Sequence, residues 1–362
     1  MTGIYIHIPF CRRKCPYCDF FSVCSGEEQW EQYTQTICQR IVQAASVYPT
    51  KADTLYFGGG TPGLIGAQRL CRMVRCVRDH FGLQQAEVTV EVNPEKRDID
   101  FAALKQGGVN RISIGLQSAH DDELRQLGRL HRTEDAVRCI RSAREAGFEN
   151  ISLDLMLAIP LQTKERLLRS IDFCARQQAT HISAYLLKIE PDTPYAQRRD
   201  KALLCDDDRQ AELYLTAVQA LHEYGYEQYE ISNFAKSGYQ GQHNLKYWHD
   251  EEYLGFGPSA HSFMNGRRFY CGRSFESFWQ NSITDDGAGG DEEEFLMLGL
   301  RLTEGVTNER FRRRFGKDIP REVFSRAEKL KDTGLLQVSE DHIALTPRGF
   351  LLSNAVIGRL VI

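Results

Sequence analysis

Between residues 4 and 189 the chain repeats one arrangement six times, a short β-rich run followed by a longer helical stretch. The β-like runs are residues 4–9, 53–57, 87–92, 111–116, 151–159 and 181–189. Helical patterns such as 27–47, 68–81 and 133–146 lie between them. In the last of these, Ala136, Val137, Ile140 and Ala143 share one face, Thr133 is placed as the N-cap, and Gly147 follows the end. Strands in one sheet that alternate with helices must run parallel and be joined by crossovers. The expectation is an α/β fold whose parallel sheet is either open or curled into a partial barrel.

In such folds ligands meet the carboxyl ends of the strands. That rule gathers a set of polar residues at one rim. Gly58-Gly59-Gly60-Thr61-Pro62 follows the second run, Glu91 and Asn93 end the third, Gln117 ends the fourth, and Asp154 lies in the fifth. After the first run comes Cys11-Arg12-Arg13-Lys14-Cys15-Pro16-Tyr17-Cys18, a C-x3-C-x2-C spacing with no further cysteine in the next five residues. A structural zinc ion is closed by four ligands, and here Cys24 would have to be the fourth. A [4Fe–4S] cluster held by three thiolates instead keeps one iron open to a small molecule.

The remaining cysteines of the 11 are scattered, a pattern of reduced thiols in a cytosol rather than of a disulfide framework. The formal net charge of -4 gives no global case for binding nucleic acid or a membrane. No apolar run is long enough to span a bilayer, and the N-terminus lacks the features of a signal peptide. A cytoplasmic protein is therefore expected. Beyond residue 190 a seventh β-like run covers 226–234, and 285–291 reads as a linker rich in glycine and acid. The last part of the chain, with helices, a short hairpin and a final helix, suggests a small winged-helix-like domain. Its 310–331 stretch is basic, but charged helix surfaces are common and no nucleic acid partner is inferred. The expected divisions are 1–235 for the core, 236–290 for a motif segment and linker, and 291–362 for the C-terminal domain.

The cysteine loop, the Gly-Gly-Gly-Thr-Pro loop and the strand-end residues together resemble the radical S-adenosylmethionine (SAM) family, and within it the coproporphyrinogen-III-oxidase-like branch. The resemblance implies a partial (β/α)6 barrel with a small, mostly helical C-terminal domain. It makes Cys11, Cys15 and Cys18 the cluster ligands. Tyr5 and Tyr17 match residues that pack near SAM and the cluster, and Gly59, Gly60 and Thr61 match the loop that receives its amino and ribose end. Glu91, Gln117, Arg129 and Asp154 match further polar contacts to SAM, and Leu186 matches a contact to a second SAM in the oxidase. The family uses one electron from the cluster to break a carbon–sulfur bond of SAM.

Two departures separate the chain from the oxidases. Phe20 stands where their pattern has a cysteine, and only four residues precede Tyr5 where they carry a long arm. His261 also replaces an apolar residue where the second SAM would bind. In contrast, His243-Asn244-Leu245-Lys246-Tyr247-Trp248 is similar to the H-N-x-x-Y-W motif of haem chaperones in the branch. The resemblance makes His243 the expected axial ligand of haem, with His7, His249 and His261 as competitors. Tyr247 and Trp248 would pack on the porphyrin and Lys246 would pair with a propionate.

The resulting expectation is a haem chaperone that carries a [4Fe–4S] cluster and SAM. It would deliver haem to apo-haemoproteins, including respiratory enzymes at the membrane, and would not oxidise coproporphyrinogen III. The alternative is the oxygen-independent coproporphyrinogen III oxidase itself; a tetrapyrrole methyltransferase is a third reading. Arg12-Arg13-Lys14 would attract an acidic electron donor such as a flavodoxin, and the resemblance leaves room for a homodimer.

Overall fold

A computed structural model describes residues 1–95, 99–197 and 205–361. Six parallel strands lie side by side in chain order: β1 (Thr2–Ile8), β2 (Ala52–Gly59), β3 (Glu87–Val92), β4 (Arg111–Gln117), β5 (Asn150–Leu157) and β6 (His181–Leu186). The helices between them are α1 (Glu27–Val47), α2 (Ala67–Phe81), α3 (Phe101–Gln106), α4 (Asp121–Gln126), α5 (Thr133–Glu145) and α6 (Lys164–Arg176). Together they make the partial (β/α)6 barrel.

Side chains alternate along each strand. On β1, Ile4, Ile6 and Ile8 are fully buried in the apolar layer, which Ile37 and Ile41 of α1 join. Tyr5 and His7 point to the other side, the barrel interior, where Tyr5 meets Tyr56 of β2. A (β/α)8 barrel of the packed type fills its interior with branched apolar residues. Here the interior is polar, lined by Tyr56, Glu91, Arg111, Ser113, Asp154 and Ser183.

Helix α7 (Asp207–Glu223) leads to the seventh β-like run, which is two short strands, β7 (Glu227–Gln228) and β8 (Asn233–Ala235). The chain turns back between them, with Tyr229 N–H donating to Asn233 O at 3.1 Å. Next come α8 (Gln242–Trp248), β9 (Tyr253–Phe256), β10 (His261–Met264), β11 (Arg267–Cys271), α9 (Phe275–Trp279) and β12 (Ile283–Ala288). Strand β9 runs parallel to β1 on its free edge, and β10 to β12 continue the same sheet antiparallel to one another.

This corrects the expected division. The 236–290 stretch is not a motif followed by a linker, because its strands extend the main sheet, to 12 strands among the described residues. Residues 285–288 pair with β11 as an edge strand. Thr133 is also not the cap of α5 but its first residue. Its hydroxyl donates to Asp121 Oδ1 at 3.0 Å, and Asp135 Oδ2 accepts from Arg132 N–H at 2.8 Å. Val137, placed on the buried face of α5, is exposed.

The C-terminal part holds α10 (Glu292–Gly299), β13 (Val306–Thr307), α11 (Asn308–Phe315), α12 (Arg321–Glu328), β14 (Leu336–Val338), β15 (His342–Leu345), α13 (Pro347–Leu351) and α14 (Ser353–Val361). Its three strands form a separate antiparallel sheet in the order β13-β15-β14. Among the described residues no helix is long and apolar enough to cross a membrane.

Candidate functional site

The loop after β1 and the carboxyl ends of β2 to β6 enclose a cavity of about 570 Å³. Cys11, Cys15, Cys18, Tyr17, Gly59, Gly60, Thr61, Glu91, Gln117, Arg129, Asp154 and Leu186 all line it. Tyr5 and His243 do not.

Arg129 organises the rim. It donates to Asn93 Oδ1 at 2.6 Å and Gly115 O at 2.9 Å, and approaches Tyr17 Oη at 3.4 Å and Cys15 Sγ at 3.7 Å. Asn93 passes the contact on to Thr61 Oγ1 at 2.9 Å, which lies 3.6 Å from Cys11 Sγ. One cation thus ties the cysteine loop to three strand ends. Gln117 has φ +68° at a register shift of β4, and its Oε1 accepts from Tyr185 at 2.9 Å. A positive φ on a residue other than glycine is a strained conformation of the kind that collects at functional sites.

Below the rim, Tyr56 donates to Glu91 Oε1 at 2.7 Å and Gly59 N–H donates to Oε2 at 3.2 Å. Burial raises the Glu91 carboxyl to about 7 and also raises Asp154, which accepts from Ser113 at 3.1 Å. Burial raises the Cys11 and Cys18 thiols as well. Tyr56, Arg111 and Tyr185 carry weight that the sequence reading did not give them. Strand register offered a signal for Tyr56, which stands opposite Tyr5 and on the same face as Gly58.

The donor set fits an iron–sulfur cluster with a chelating ligand. Three partly exposed thiols face one cavity whose next layer is carboxylates, an amide and a guanidinium. Cys24, the sulfur that would complete a zinc tetrahedron, donates instead to Arg12 O at 3.3 Å. Among the described residues no three His, Cys, Asp or Glu side chains converge as they would on a single metal ion.

Of the H-N-x-x-Y-W motif, Asn244 lines this cavity, while His243 and Lys246 lie beneath it. His243 is 1% exposed, with Nδ1 2.8 Å from Thr54 Oγ1 and Nε2 2.8 Å from Tyr247 Oη. The expected axial ligand is therefore not presented to an iron in this structure, because both ring nitrogens are engaged in the interior. Burial, with help from Lys246 and Arg111, lowers its pKa to about 3. Lys246 is likewise not open to a propionate, for it sits between Asp53 at 3.0 Å and Glu251 at 2.8 Å. His7 has both nitrogens occupied, by Tyr5 at 3.0 Å and Phe21 O at 2.8 Å, and His249 pairs with Glu304 at 3.2 Å. His261 differs from all three. It is exposed, stacks on Tyr270 at 5.0 Å, and begins β10 on the same sheet face as Tyr5.

Residues 5–174 match the radical SAM superfamily model and residues 292–352 match the HemN C-terminal domain. The haem chaperone HemW of Bacillus subtilis is 35% identical over 99% of this chain and 98% of its own length. The chain belongs to the HemW family of radical SAM proteins. HemW of Escherichia coli is 34% identical over 98% of this chain and 97% of its own. Among solved structures, the radical SAM enzyme coproporphyrinogen III oxidase (HemN) of E. coli superposes with a TM-score of 0.85 at 22% identity, covering 99% of this chain and 90% of that one. It shares the fold. Membership of the radical SAM superfamily implies a [4Fe–4S] cluster and SAM as cofactors.

Proposed function

We propose that the chain is a haem chaperone that binds haem and passes it to apo-haemoproteins, respiratory enzymes at the membrane among them. In this reading Cys11, Cys15 and Cys18 hold the cluster. Gly59, Gly60, Thr61, Glu91, Gln117, Arg129 and Asp154 surround SAM, with Tyr17 between the two. A cluster held by these thiolates would, when bound, provide one-electron chemistry toward a sulfonium ligand. The chain's own part is to orient that ligand, hold a carboxylate against its amine or hydroxyls, and keep water out.

The observation that carries the reading is the trio of free thiols opening on a polar cavity, in a chain alike over its full length to haem chaperones. Phe20, 66% exposed at the mouth, stands where the oxidase pattern has a cysteine, which supports chaperoning over coproporphyrinogen oxidation. His261 would offer haem iron an open imidazole, since His7, His243 and His249 are engaged. Lys14 and the neighbouring Arg12 and Arg13 favour an acidic electron donor such as a flavodoxin.

The test uses anaerobically reconstituted protein. Haem titration by absorbance, transfer to an apo-haemoprotein and carbon dioxide release from coproporphyrinogen III are measured on wild type and His261→Ala. Haem binding and transfer without carbon dioxide release are expected, with affinity reduced at least about tenfold in the variant. Decarboxylation at catalytic rates would overturn the chaperone reading; an unchanged variant would remove His261 from it.

A further inference from the structure

Helix α8, which carries the H-N-x-x-Y-W residues, packs against the amino ends of β1 to β3 through His243 and Lys246, while its Asn244 reaches the cavity. The N–H groups of Gln242 and His243 both donate to the Glu87 carboxylate at 3.1 Å, a favourable place for an anion at the start of a helix. Lys246 donates to Met1 O at 3.1 Å besides its two carboxylates. The approach is close enough that a Cβ on Gly3 would lie 3.0 Å from Lys246 Cδ and 3.3 Å from His243 Cε1.

Inside the barrel the His243 ring lies almost parallel to Tyr56 (centroids 5.3 Å apart, 23° between planes) and to Tyr5 (6.3 Å, 27°). Thr54 and Tyr247 hold its two edges, so the ring cannot turn. A neutral imidazole offers one donor and one acceptor, and hydroxyls can answer either. Tyr56 then reaches the Glu91 carboxylate, and Glu91 reaches the Gly59 amide. Tyr5 reaches His7, and His7 reaches the Phe21 carbonyl in the cysteine loop. A continuous column of contacts therefore runs from the motif to both loops that face the cofactor cavity. On the far side of α8, the Arg301 guanidinium lies 5.7 Å from the Trp248 ring, which ties the same helix to the C-terminal domain.

We propose that His243 is a positioning residue for the SAM site, fixing Tyr56 and through it the Glu91 carboxylate at the floor of the cavity. The inference rests on the reading that SAM occupies that cavity. It gives the H-N-x-x-Y-W motif a task that needs no contact with haem.

The experiment compares wild type with His243→Ala, His243→Phe and Tyr56→Phe as anaerobically reconstituted full chains. SAM affinity is measured by equilibrium dialysis, the reduced cluster by its paramagnetic resonance spectrum with and without SAM, iron content by chemical assay, and haem affinity by titration. Tyr56→Phe should weaken SAM binding about tenfold and blunt the spectral response, as expected for loss of its hydrogen bond to the Glu91 carboxyl. His243→Ala, which removes the ring stacked on Tyr56, should move both readouts in the same direction. Iron content and haem affinity should stay at wild-type levels. His243→Phe, which keeps a flat ring against Tyr56, should recover part of the loss.

SAM affinity and spectral response unchanged in His243→Ala would overturn the inference, as would loss of haem affinity with SAM binding intact. If His243→Ala does not fold, wild-type SAM affinity in both His243→Phe and Tyr56→Phe overturns it. Wild type that carries the cluster but binds no SAM sinks the functional reading and this inference with it.

Discussion

Gly59 shows how narrow the choice of residue is at the cofactor loop. Its φ is +105°, and a Cβ there would overlap the His7 imidazole. Gly59→Ala should therefore cost about 1–3 kcal/mol in urea unfolding and weaken SAM binding, because its N–H also holds Glu91. A variant as stable as wild type would contradict the close packing of His7 on this turn. The glycine was legible as part of a Gly-Gly-Gly-Thr-Pro loop after a strand; the ring that forbids its replacement was not. His243 is the opposite case. Its residue type and its neighbours in sequence suggested an open metal ligand, but whether a ring nitrogen is free depends on Thr54 and Tyr247, and Thr54 is far away in sequence.

At the level of elements, the six parallel strands and α1, α2 and α5 were legible because their apolar residues recur at the right period. Strand β12 was not. It is exposed almost throughout, so no buried face prints alternation onto Ile283–Ala288, and only pairing with β11 makes it a strand. The β7–β8 run reads as one strand in sequence because its turn is closed by tertiary contacts such as the bridge between Glu230 and Leu302. Local chemistry still governs helix ends. Asp291 caps α10, its side chain accepting from Glu294 N–H at 2.9 Å. Asp291→Ala should lower stability by about 1 kcal/mol, read as a shift of the urea midpoint with an unchanged slope. No shift would mean that α10 is held by its packing alone.

For the whole molecule, the joint between barrel and C-terminal domain is a place where pH should act. Glu230 is 1% exposed, pairs through its backbone with Leu302, and accepts from Ser232 N–H at 3.1 Å. Burial raises its carboxyl from 4.5 to about 7. Between those values the folded protein keeps a proton that the unfolded chain has lost, so this group makes stability fall as pH rises through the window and level off above it. Glu230→Gln stays neutral throughout. Its stability relative to wild type should rise across the same interval and be higher above about pH 7 than below about pH 4.5. A difference that does not change with pH, measured by urea unfolding at both ends, would show that Glu230 does not titrate in this way.

By itself the sequence determined the repeating strand-and-helix order, the cysteine trio and the set of strand-end residues, since periodicity and loop chemistry are local properties of a chain. Strand direction then sent those residues to one rim. Only the tertiary structure decided which side chains are open to a ligand. Closing the sheet buried His243 and Lys246 beneath the cavity, left His261 exposed, and turned an apparent linker into a strand. Burial and hydrogen-bond partners depend on residues far apart in the chain, and no local pattern records them.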